Sequence, residues 1–249
     1  MNDTYDLFVS SDSFFGRSSV GDPLFLLLVI GIPAISQLIA TTMRNRFVQF
    51  SRHTMPFSGR EIAERMLHEN NIEDVKVIST AGQLTDHYNP IDKTVNLSEA
   101  VYNESNIAAV AVAAHECGHA VQDATGYPFL VARSKMVPLL KLGNMALPVL
   151  CIGGAGISAA LGEKVTTSLF MITLGMPTLF SLITLPVEFN ASSRALHWME
   201  MSGLVPGEQH ARAKKALFWA AMTYIIAALG AIAQVLYFAK IFRGQRSNR

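Results

Sequence analysis

Charge is scarce in this sequence: Asp, Glu, Lys and Arg make up 16% of its 249 residues, against about a quarter in typical soluble domains. Half of the residues are hydrophobic and the mean hydropathy is +0.30. Such a chain cannot cover its apolar surface with polar side chains, so lipid is the expected solvent for part of it. An excess of one charge sign is also missing. The net charge of +1 leaves no basic stripe of the kind nucleic-acid binding needs, and no nucleic-acid partner is expected. Cysteine is equally sparse. Cys117 and Cys151 are too few for a disulfide framework, and both read as small apolar side chains.

What the sequence does have is long apolar runs. Residues 23–43, 143–161, 165–187 and 216–239 each approach or exceed the roughly 20 apolar residues that cross a bilayer. The first follows a polar tail, residues 1–22, that carries Asp3, Asp6, Asp12 and Asp22. It lacks a basic n-region and is too long for the apolar region of a signal peptide, so it reads as a retained anchor. Only Gly162, Glu163 and Lys164 separate the second and third runs, which predicts a tight helical hairpin. The expected fold is a mainly α membrane protein with about four transmembrane helices and a small α+β extramembrane region over residues 44–135. A helical segment at 188–215 and a basic tail at 240–249 complete the plan. Arg44, Arg46, Arg52, Lys141 and Lys215 flank the runs on one side and place it in the cytoplasm; Lys164 and the basic tail argue the other way. An integral-membrane location is expected, with the lipid bilayer as partner.

Within residues 44–135, Ser58 and Glu61 have capping-box spacing, and Ile62, Ala63, Met66 and Leu67 follow with helical periodicity. A short helix over residues 59–69 is predicted. Strands are expected at residues 75–78 and around Val95 and Leu97, with turn chemistry at residues 89–92. Residues 105–124 form a further helix. Its first half, with Ile107, Val110, Ala111 and Ala114, is uncharged and too short to span a bilayer, so it predicts a buried core helix, stopped by Gly126 and Pro128.

This helix carries His115–Glu116–Cys117–Gly118–His119, an H-E-x-x-H pattern. Residues four apart on an α-helix differ by about 40° around its axis, so both imidazoles reach one ion from one face. Glu116 is rotated by about 100° from His115, beside the metal without ligating it, and is the expected general base and acid. Cys117 faces away. The pattern alone also suits a polar helix face with ordinary hydrogen bonds. Two histidines and a carboxylate on a buried helix, however, are costly unless paired or coordinated. Catalytic zinc takes three protein ligands and a water. Glu188, at the end of the third apolar run, is the best-placed third ligand, although it could instead reach interfacial water or pair with Arg194. His87, His197, His53, Asp123 and His210 are competitors.

Five blocks in order extend the pattern: residues 58–63 (SGREIA), 84–90 (LTDHYNP), 97–102 (LSEAVY), 113–122 (AAHECGHAVQ) and 185–192 (LPVEFNAS). Together with the placement of the apolar runs, they resemble the YugP-like neutral zinc metallopeptidases of bacterial membranes. That family is in turn similar to the gluzincins, including the HtpX and CAAX prenyl protease group. There a later E-x-x-A-D pattern supplies a zinc-binding glutamate and an acid that orients a histidine. The resemblance implies Zn2+ bound by His115, His119 and Glu188, with Ala191 matching the alanine; Ser192 stands where the acid would be, so the outer support must be built differently. By analogy with related peptidases, the strand around residues 94–98 would hold extended substrate by strand addition. Tyr88, His87, Arg194 and His197 are candidates to polarise the substrate carbonyl, although His87 and Tyr88 suit a packed hairpin equally well.

The function expected is a zinc-dependent endopeptidase acting on a peptide or protein, whether membrane-bound or misfolded, with a homo-oligomer left open. Two rivals carry different signatures. A non-catalytic membrane scaffold or adaptor would keep a structural zinc with a closed ligand shell. A transporter would line a path with ionisable groups at membrane depth, yet His115, Glu116 and His119 lie outside the apolar runs.

Overall fold

The computed structural model describes residues 22–247; Asp3, Asp6, Asp12 and the last two residues of the basic tail lie outside them. The first helix, α1 (Pro23–Ser51), opens on an Asp22 cap whose carboxylate accepts from the Leu24 N–H, with Pro23 at the first turn where no amide is needed. A π-helical turn at Leu27–Gly31 interrupts it. None of its apolar window is buried within the protein, which suits an anchor facing lipid.

Helix α2 (Gly59–Glu69) begins on the predicted capping box. The Ser58 hydroxyl accepts from the Glu61 N–H at 3.3 Å, and the Glu61 carboxylate accepts from the Ser58 N–H at 2.8 Å. Its stripe of Ile62, Ala63, Met66 and Leu67 is buried. Three short strands follow: β1 (Lys76–Thr80), β2 (His87–Asn89) and β3 (Thr94–Ser98). The spatial order is β1–β3–β2, with β3 parallel to β1 and antiparallel to β2. Residues 87–89 form the first arm of a hairpin with β3, the packing that His87 and Tyr88 suit in the sequence. One expectation changes here: β3 is paired on both sides, so it has no free edge for an added strand at residues 94–96; the free edges of this sheet belong to β1 and β2.

After α3 (Glu99–Tyr102), helix α4 (Ile107–Ala124) starts on Asn106, whose side chain accepts from the Ala109 N–H at 2.9 Å. Its alanine-rich first half is buried apart from Val112, which is partly exposed, because small side chains let α2, β3 and α6 approach its backbone closely. Gly126, with φ near +61°, turns the chain into Pro128. Three long helices follow: α5 (Pro128–Leu161), α6 (Glu163–Met201) and α7 (Glu208–Ser247). Only Gly162 separates α5 from α6, with φ near +86°, so Glu163 and Lys164 belong to the helix and not to a loop. Likewise, residues 188–201 are no separate segment but the continuation of α6.

Four helical stretches, Pro23–Ser51, Pro128–Gly154, Glu163–Met201 and Glu208–Arg243, are long and apolar enough to cross a membrane. The architecture is therefore mainly α, with four candidate spans and one small sheet. The continuous core lies among α2, β3, α4 and the facing ends of α6 and α7. Much of the α5–α6 hairpin instead exposes large apolar side chains, including Leu142, Met145, Val149 and Ile152.

Candidate metal centre

The site forms where α4 crosses α6. A Cβ at Gly118 would lie 2.5 Å from the Ala191 carbonyl oxygen, so only glycine permits this crossing distance. Gly118 occupies a variable position of the H-E-x-x-H pattern, and Ala191 is fully buried. The close approach places the α4 histidines opposite the carboxylate of Glu188. On the far side of α4, Cys117 is buried with its Sγ 3.5 Å from the Ala63 carbonyl oxygen, as its helical position predicts.

The Glu188 Oε2 atom lies 3.2 Å from His115 Nε2 and 3.6 Å from His119 Nε2. One ligand atom from each of His115, His119 and Glu188 falls within 4.8 Å of the others. The imidazoles meet edge to face with centroids 4.8 Å apart. Among the described residues this is the one group of three or more such side chains that could hold a metal ion.

The remaining ring nitrogens are held from behind. Gln122, fully buried, donates from Nε2 to the Val187 carbonyl oxygen at 2.7 Å and to Asn190 Oδ1 at 3.0 Å. Two acceptors on that nitrogen fix the orientation of the amide, so its Oε1 faces His119 Nδ1 at 3.0 Å. An amide oxygen only accepts. His119 Nδ1 is therefore the N–H donor of that contact, which turns Nε2 towards Glu188. Ser192 Oγ stands 3.1 Å from His115 Nδ1. The hydroxyl thus supports the His115 ring from α6. Both imidazoles are thus held at Nδ1 with Nε2 turned towards Glu188, the orienting role that outer-shell partners play at a metal site.

Glu116 is buried beside this cluster without being part of it. Burial pushes its carboxyl up to about 7, His115 opposes the shift, and Glu188 and Asp86 add to it. Two residues without an assigned role in the sequence also converge here. Arg133 Nη1 donates to Glu188 Oε1 at 3.1 Å. The Tyr224 phenol, from α7, is close enough to Glu188, Glu116 and Arg133 to interact with all three. Arg133 looked like one more basic residue flanking an apolar run, and Tyr224 like one more aromatic inside another. Gln122 was visible only as a polar residue three positions beyond His119.

The other candidates lie elsewhere. Asp123 accepts from the Tyr88 hydroxyl at 2.7 Å and from Lys93 Nζ at 2.8 Å, which ties the β2–β3 hairpin to the end of α4. His87 is exposed, with Nδ1 2.7 Å from the Thr85 carbonyl oxygen. His53 contacts Arg212, and His210 contacts the Leu196 carbonyl oxygen at 3.1 Å. Arg194 donates to Asn190 Oδ1 at 2.8 Å and so supports the Gln122 network. His197 lines a groove of about 430 Å³ between α6 and α7 with Glu200, His210 and Lys214.

Two imidazole nitrogens and a carboxylate oxygen, with both rings oriented by side-chain partners, are a donor set suited to zinc. The family described as "Putative neutral zinc metallopeptidase" matches residues 24–243. The chain is also 37% identical over 227 residues to "Putative membrane protease YugP" of Bacillus subtilis (strain 168), an alignment that covers 90% of this chain and 99% of that protein. No solved structure matches it. The chain belongs to this family of neutral zinc metallopeptidases.

Proposed function

We propose that the protein is an integral-membrane zinc-dependent endopeptidase in which His115, His119 and Glu188 would hold the metal. The observation that carries this reading is the convergence of two oriented Nε2 atoms on Glu188 Oε2, with a separate buried carboxyl, Glu116, beside them. When bound, zinc supplies a Lewis acid that acidifies water and polarises a carbonyl group. Glu116 is placed to take a proton from the attacking water and to return it to the departing amine nitrogen, so the peptide bond breaks with no net proton change at the carboxylate. Tyr224 reaches the same space from α7 and is a donor for the developing charge on the carbonyl oxygen.

The site joins α4, outside the candidate spans, to α6, inside one. That position favours protein substrates presented at the membrane face, whether membrane-bound or misfolded. In this reading the catalytic region lies on the cytoplasmic side of a bacterial membrane. Replacing Glu116 with Gln tests the chemistry. The full-length protein in detergent should keep its zinc by elemental analysis and lose about 10²–10⁴-fold in hydrolysis of an unfolded protein. Full activity in a zinc-loaded variant would remove Glu116 from the mechanism. A zinc-loaded wild type with a closed ligand shell and no hydrolysis would favour the scaffold.

A further inference from the structure

The two oxygens of Glu188 meet different partners. Oε2 faces both histidine Nε2 atoms, whereas Oε1 lies 3.1 Å from Arg133 Nη1. Arg133 comes from the second turn of α5, and its guanidinium carbon stands 6.0 Å from the centroid of the Phe180 ring on α6. The cation is therefore held at two points, by the carboxylate along one edge and by the aromatic face. The Glu188 side chain is 3% exposed, so this is not a surface pair weakened by water and salt. Arginine also stays protonated in any such setting and offers donors in a fixed plane.

A carboxylate may bind a metal through one oxygen or through both. With two histidines, one oxygen leaves a fourth position for water, the arrangement of catalytic zinc; both oxygens would complete four-coordination. We propose that Arg133 is a positioning residue that engages Glu188 Oε1 and so keeps Glu188 a one-oxygen ligand with a coordination position left open. The proposal rests on the zinc reading above. It also assigns α5 a part in the site: the helix carries the cation that decides how α6 offers its carboxylate.

The test uses full-length protein in detergent, stripped of metal and titrated with zinc against a chromophoric chelator, alongside the visible spectrum of the cobalt-substituted form. Arg133→Gln keeps one hydrogen-bond donor but loses the charge; Arg133→Lys keeps the charge. The Gln variant should bind zinc about 10–100-fold more weakly, the usual effect of removing an outer-shell partner, and its cobalt bands should change in position and intensity. The Lys variant should recover most of both. Phe180→Leu, which frees the guanidinium without removing it, should shift both readouts in the same direction by less, and it decides the matter if the Gln variant does not fold. Unchanged zinc affinity and cobalt spectra in folded Arg133→Gln, or in Phe180→Leu in its place, would overturn the proposal. If the wild type binds zinc and Glu188→Ala abolishes that binding, such a result rejects the role of Arg133 alone. A wild type that binds no zinc rejects the underlying reading instead.

Discussion

The residues that converge on the metal centre come from two regions built by different rules. Helices α2 and α4 with strand β3 form an interior in which Ile62, Val95, Leu97, Ile107 and Val110 are fully buried. Removing such side chains from water stabilises by about 1.5–3 kcal/mol each, so packing fixes where the backbone of α4, and with it the histidine positions, sits. The α5–α6 hairpin is the reverse: Ile152 is 90% exposed and Met145 72%. In the integral-membrane reading proposed above this hairpin lies in lipid, whose tails are as apolar as these side chains, so its helices gain nothing from the hydrophobic effect on meeting. Their positions depend on small residues at crossings and on polar links. Those features are found at the seam: Gly118 against Ala191, Gln122 to Val187 and Asn190, Ser192 to His115, and Arg133 to Glu188. The extramembrane region sets the imidazoles by burial; the hairpin sets the carboxylate by a handful of specific contacts.

The comparison breaks most completely at Glu188, the one proposed ligand the hairpin contributes. Glu188→Ala should weaken zinc binding beyond the roughly 10–100-fold expected for an outer-shell loss, while α2 and α4 stay folded. Elemental analysis after dialysis, with circular dichroism as the folding control, checks both halves. Unchanged zinc stoichiometry would move the third ligand elsewhere and leave Glu188 as a partner of Arg133 alone.

Next in size is the crossing itself. Gly118→Ala places a methyl group 2.5 Å from the Ala191 carbonyl oxygen, which is backbone and cannot swing aside. Overpacking of this kind costs about 1–3 kcal/mol. Because the strain pushes α6 away from α4, zinc affinity should fall together with the melting temperature of the metal-free protein. A variant with normal stability and normal affinity would show that the two regions are not held in register by this contact.

The same division explains what could be read from the sequence. Capping at Ser58 and Glu61, the apolar stripe of α2 and the burial of α4 follow from local spacing, because in water periodicity reports burial directly. The zinc motif was legible for the same reason: His115, Glu116 and His119 share one helix, and their relative angles are fixed by its pitch. Glu188 could be singled out as a carboxylate ending an apolar run. Arg133 and Tyr224 could not, since they meet Glu188 only through tertiary packing of α5 and α7 onto α6. At His87 and Tyr88 three residues next to a turn carry too little pattern to choose between a packed hairpin and a catalytic role, and the pairing of β2 with β3 removes the free edge on which an added strand at 94–96 depended. The continuity of α6 through residue 201 was hidden by Glu188, which looks like the end of a span when hydropathy alone is considered.

The smallest effect separates the two histidine supports. Gln122 makes three hydrogen bonds, one to His119 on its own helix and two across the seam to α6, whereas Ser192 makes one across it to His115. A single hydrogen bond contributes about 0.5–1.5 kcal/mol net, and an acceptor or donor left buried without its partner costs about 1–3 kcal/mol. Gln122→Leu should therefore lower both zinc affinity and the melting temperature of the metal-free protein, because it loosens a ring and a helix contact at once. Ser192→Ala should reduce zinc affinity by only a few-fold, about what one net hydrogen bond is worth, and leave the metal-free melting temperature nearly unchanged. Ser192→Asp sharpens the contrast, since a carboxylate forms a stronger bond to a ring N–H than a hydroxyl does. It should bind zinc at least as tightly as the wild type if the ring is short of support. A loss of affinity in Ser192→Asp would mean that the crossing has no room for the longer acid, and that the closeness of α4 to α6 is what selects serine at this position.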